Sequence, residues 1–120
     1  MAVIIKTTDA ATLLAEIRSA VIKEKIPTWS WDSNEQFWHD TKSQEWKDTA
    51  SFRGSLKSGE NGELRFGIIP FQNKKISRPL YAALHGRFIE MLLSHFSGKL
   101  DYVFATSKVT DPDTPNCIER

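Results

Sequence analysis

Three histidines, His39, His85 and His95, are the side chains of this 120-residue chain best suited to acid–base or metal chemistry. His85 and His95 stand ten residues apart on one helical segment. That is about 15 Å along the axis, so they share neither a metal ion nor a proton. His95 falls in an apolar stripe near the end of that segment, where a carbonyl hydrogen bond or the helix dipole accounts for it. His39 precedes Asp40 at a strand end and meets His85 only if the tertiary fold brings the two together. Glu90 completes this set. Arg87 lies three residues before it, the spacing of a surface ion pair worth roughly a few tenths of a kcal/mol. No H-E-x-x-H pattern, G-x-S-x-G nucleophile turn or phosphate loop is present, and "GSLKSGENG" has neither the lysine spacing nor the following helix that a phosphate loop needs. No cofactor or metal is expected. The one cysteine, Cys117, excludes an internal disulfide and a cysteine-based zinc site. Its polar surroundings read as those of an incidental exposed thiol.

Two further groups of residues suit binding rather than catalysis. Lys74, Lys75 and Arg78 cluster beside a helix start capped by Ser77, where free N–H groups and the helix dipole favour an anion; the competing reading is a solvated basic loop. Four tryptophans, Trp29, Trp31, Trp38 and Trp46, fall within 18 residues. They suit either a hairpin core or a platform for a ring, a sugar or a partner's side chain.

These residues sit in a chain of ordinary composition, 40% hydrophobic and 26% charged, which suits one folded domain. The net charge of +1 supplies no global field to recruit nucleic acid or a membrane surface. "MAVIIK" is too short an apolar run for a signal-peptide core or a spanning helix, so the expected location is the cytoplasm.

The elements that must position the candidates follow from periodicity. "VIIK" is a short β-branched strand. A helix follows, capped at Thr8 or Asp9 and closed by Pro27, with Ala10, Leu13, Leu14, Ile17, Ala20 and Val21 on one face. "TWSWDSNEQFWHD" reads as two short strands around a turn. With an even-length loop, Trp29 opposes Trp38, and three tryptophans share one face; an odd-length loop breaks that grouping. "ASFRGSLK" and "ELRFGIIP" flank the turn "SGENG". Pairing Lys57 with Glu63 sets Leu56 against Leu64, Gly54 against Phe66 and Phe52 against Ile68 on an apolar face. Gly54 then leaves room for the ring of Phe66. A second helix begins at Ser77-Arg78-Pro79 and ends at Ser97-Gly98, and "DYVFATS" is a last strand.

The second helix is apolar along two edges. Tyr81, Leu84, Phe88, Met91, Leu92 and His95 form the stripe that should cover a sheet. Ala82, Gly86, Ile89 and Leu93 form another. A mid-helix glycine costs about 1 kcal/mol relative to alanine, which marks Gly86 as a packing notch. Its neighbour is either the first helix, through Ala11, Ala15 and Ile22, or the same helix in a second copy.

The order strand, helix, four strands, helix, strand implies an α+β fold, a two-layer sandwich of a mainly antiparallel sheet of five to six strands with two helices. Residues 1–107 form the domain and 108–120 a frayed polar tail. The function this supports best is a non-enzymatic interaction or binding module, dimeric or engaged with a protein partner, with no membrane or nucleic-acid role. One alternative is a binder of a small anionic or aromatic ligand. A further one is an enzyme using His39, His85 or Glu90.

Overall fold

Pairing of β-branched and aromatic strands builds most of the molecule. In chain order the described elements are β1 (Val3–Lys6), α1 (Ala10–Ile22), β2 (Trp29–Trp31), β3 (Gln36–His39), β4 (Ala50–Leu56), β5 (Glu63–Pro70), α2 (Arg78–Phe96) and β6 (Tyr102–Ala105). The computed structural model describes residues 2–23, 25–26, 29–31, 36–39, 50–56, 62–110, 112–115 and 117–118. The six strands form one antiparallel sheet in the order β2-β3-β4-β5-β1-β6. This is a small α+β sandwich. No helix among the described residues is long and apolar enough to cross a membrane.

Alternation along β4 and β5 fixes their register. Leu56 faces Leu64, Gly54 faces Phe66 and Phe52 faces Ile68, with Arg53 opposite Gly67 on the other side of the sheet. These pairings match the apolar and polar faces legible in the sequence; the Lys57 pairing and the "SGENG" turn lie largely outside the described residues. At Gly54 an added Cβ would lie 3.1 Å from Cε1 of Phe66 and 2.9 Å from Cδ1 of Leu14 on α1. The missing side chain therefore admits both the ring and the helix.

The inner face of the sheet carries Val3, Ile5, Leu64, Phe66, Ile68, Phe52, Phe37 and Trp29, all buried against Leu13, Ile17 and Val21 of α1 and Leu84, Phe88 and Leu92 of α2. Phe88 stands at the centre. It stacks on Phe52 at 4.6 Å and meets Phe66 at 4.7 Å and Trp29 at 5.2 Å. Truncating such a ring to alanine costs about 3–5 kcal/mol.

The β2–β3 hairpin departs from the expected grouping. Trp29 pairs with His39, Ser30 with Trp38 and Trp31 with Phe37. An odd number of residues separates Trp31 from Phe37, so the second strand is flipped relative to the even-loop register. Phe37 and His39 join Trp29 on the core side, and half-buried Trp38 points to the opposite face.

The C-terminal segment also corrects an expectation. The sequence predicts a frayed tail with an exposed Cys117, yet Asp113 and Cys117 are 5% and 2% exposed. The reason is strand length. β1 has four residues and pairs with Glu63–Phe66, leaving the far half of β5 without a strand on that side. Buried backbone groups require partners. Residues 112–114 supply them: Ile68 N donates to Oδ1 of Asp113 at 2.7 Å, and Thr114 N donates to Ile68 O at 2.9 Å. Further on, Ile76 N donates to Cys117 O, within a parallel bridge between Ile76 and Ile118.

Candidate functional site

α2 carries most of the residues that could act, so its construction decides what they can do. Ser77 caps it, its Oγ accepting from Leu80 N at 3.2 Å, and Pro79 occupies the first turn, where its missing N–H costs nothing. The inner stripe buries Tyr81, Leu84, His85, Phe88, Met91, Leu92 and Phe96. His95, expected in that stripe, is exposed. It stands in the last helical turn, where Phe96 is the residue buried instead.

The outer stripe lies in the open. Ala82 and Gly86 are exposed, Leu93 is 50% exposed, and Ile89 is half-buried against the core. A Cβ built on Gly86 meets nothing within 4 Å. The first helix does not fill this notch: Ala11, Ala15 and Ile22 of α1 are themselves exposed. The intramolecular form of the notch is therefore excluded, because α1 packs its other face on the sheet. Beside the stripe, Arg87 donates to Glu90 at 3.1 Å, with side chains 53% and 65% exposed.

His85 lies on the inner side of the same helix. Its Nδ1–H donates to Tyr81 O at 2.6 Å, and its Nε2 stands 4.0 Å from Oδ1 of Asp113, with both side chains sealed from solvent. Asp113 also accepts from Tyr81 Oη at 2.6 Å and from Thr110 N at 3.1 Å. Burial lowers the imidazole's pKa from the usual 6.5 to about 3; the Asp113 carboxylate raises it, by less. His85 is therefore neutral at ordinary pH. The Cys117 thiol moves the other way: burial, then the charge of Asp113, raises its pKa. This knot ties the C-terminal segment to α2 and to β5.

The other candidates separate. His39 packs edge-on against Trp29 at 5.1 Å, and ring contacts continue from Trp29 to Phe52 and from Phe52 to His85. Two aromatic rings thus stand between the two imidazoles, and Glu90 points to solvent away from both. Trp29 belongs to the core. Trp31 rests on Phe37 at 4.8 Å under the guanidinium of Arg18, beside a cavity of about 30 Å3, room for little more than a water molecule. Trp46 lies outside the described residues. Lys74, Lys75 and Arg78 are exposed at the start of α2. Among the described residues no group of three or more His, Cys, Asp or Glu side chains could hold a metal ion.

Sequence reasoning missed the buried Tyr81–His85–Asp113 knot. One signal was available: β5 is twice as long as β1, so half of β5 needed another partner on that side. Comparison of the chain with protein-family models, curated proteins and solved structures gives no match.

Proposed function

We propose that this chain is a non-enzymatic interaction module that pairs with a second copy of itself along the outer edge of α2. The observation that carries this reading is the solvent-exposed stripe of Ala82, Gly86 and Leu93, with no other element among the described residues packed over the glycine. Its order is self-complementary. In an antiparallel pair of α2 helices related by a twofold axis between Arg87 and Phe88, Ala82 faces Leu93 of the second copy and Gly86 faces Ile89 of the second copy. Each large side chain meets a small one, twice by symmetry. Twofold contacts of one patch with itself are the commonest form of homo-oligomer. Arg87 and Glu90 on the rim carry opposite charges and sit near the same axis, so each can exchange its partner for the other copy's.

The contact spans about 16 Å of helix, at the small end of specific interfaces. A dissociation constant on the order of micromolar is expected. Sedimentation velocity on the full chain over a range of concentrations tests this. The expected result is a shift from monomer to dimer that Leu93→Glu abolishes without lowering the melting temperature of the monomer. A chain that stays monomeric at millimolar concentration, or a dimer indifferent to Leu93→Glu, overturns the reading.

A further inference from the structure

We infer that the free edge of β6 takes an extended peptide of a protein partner as an added strand, a site independent of the α2 contact. The chain covers the other open margins of its sheet. At one end β2 is three residues long and lies against α1, with Trp29 buried. Residues 112–114 close the open half of β5. β6 pairs with β1 alone among the described residues. Thr106 N donates to Ala2 O at 3.0 Å, so by alternation Phe104 and Tyr102 also direct their main-chain groups to β1. Those of Val103 and Ala105 point outward. The other side of β1 agrees: Thr7 N donates to Gly62 O, which sends the odd-numbered residues of β1 to β5 and leaves Ile4 and Lys6 to β6.

Sheet edges are ordinarily defended by charge, by proline or by a covering element. β6 reads Tyr-Val-Phe-Ala, with no charge and no proline. Tyr102 and Phe104 are 54% and 44% exposed, and their rings stand 6.0 Å apart at 26°, a stacked pair on the outer face. Val103 points to the other face, half-buried against the core. A strand laid beside β6 would satisfy the outward amide and carbonyl groups. One row of its side chains would lie beside the two rings and the alternate row beside Val103. Aromatic and β-branched residues suit both rows. Charge gives the direction. Asp101 precedes the strand and Lys108 follows it, both exposed and neither in an ion pair among the described residues. An antiparallel peptide, acidic at its start and basic at its end, meets Lys108 first and Asp101 last.

The probe is the peptide acetyl-EVYVTVK-amide, titrated into the full chain and followed by amide chemical shifts. The expected result is saturable binding with a dissociation constant on the order of 100 μM and shifts centred on Val103, Phe104 and Ala105. Two further peptides are N-methylated, one at the valines and the other at the tyrosine and threonine. Only alternate amides of a strand face its neighbour, so one of the two should lose binding and the other keep it. Exchanging the end charges, as in acetyl-KVYVTVE-amide, should weaken binding about threefold. Phe104→Lys alters an exposed side chain and should weaken it at least about tenfold. Equal binding of the two methylated peptides, no effect of the charge exchange, binding indifferent to Phe104→Lys, or no saturable binding overturns the proposal. So does a Phe104→Lys chain that no longer sediments as a dimer, since the edge would then belong to a second copy.

Discussion

A Cβ placed on Gly67 would lie 2.2 Å from the carbonyl carbon of Pro112 and 2.3 Å from Asp113 N, whereas one placed on Gly86 meets no atom within 4 Å. Both glycines interrupt regular elements, Gly67 between Phe66 and Ile68 and Gly86 between His85 and Arg87. At Gly67 the chain's own C-terminal segment crosses so close that only hydrogen fits. At Gly86 no segment among the described residues crosses. The difference teaches that a small residue at a costly position does not by itself mean that the chain sets a neighbour against it. On β5 the neighbour was needed to satisfy an open strand edge. On α2 the backbone is already hydrogen-bonded within the helix, so no part of the chain is required there.

The comparison can be broken at either end. The largest effect is expected from Gly67→Val, whose side chain would have to displace the backbone of residues 112–113. A loss of about 4 kcal/mol, with release of the C-terminal segment to proteolysis, is expected. A denaturation midpoint near that of the parent would show that the segment does not press on Gly67 in solution. Asp113→Ala comes next. It strips the acceptor from Ile68 N and Tyr81 Oη and should cost about 2–4 kcal/mol by urea denaturation.

His85 sharpens the comparison through pH. Its pKa is about 3 in the folded chain against an ordinary 6.5. Below the ordinary value the unfolded chain takes up a proton that the folded chain refuses, so stability falls as pH drops from 6.5 towards 3. The slope from this group approaches about 1.4 kcal/mol per pH unit. His85→Phe should flatten the profile in that window, and an unaltered slope would remove the sealed imidazole as its cause. The smallest effect belongs to Gly86→Ala, which should raise monomer stability by up to about 1 kcal/mol through helix propensity alone. A loss instead would reveal a neighbour close to Gly86 within one chain.

Periodicity made the elements and the β4–β5 register legible, because each face of those strands carries a consistent character. Ser77 and Pro79 likewise announced the start of α2. The β2–β3 grouping was not legible, since its register depends on a loop whose parity the residues do not declare. Trp38 and Phe37 are both aromatic, and hydrophobicity alone does not choose between them. The role of Asp113 was hidden for another reason. An aspartate between prolines looks like a loop residue until the strand order shows which backbone groups lack partners.

The stand-in of residues 112–114 for a missing stretch of strand bears on the order in which the molecule can be completed. Residues 68 to 70 of β5 are synthesised some forty residues before the segment that covers them. Until residues 110–118 have emerged, that rim offers bare amide and carbonyl groups, a template on which any extended chain can dock. The nascent protein is therefore exposed to mispairing along this rim until residues 112–114 have been made.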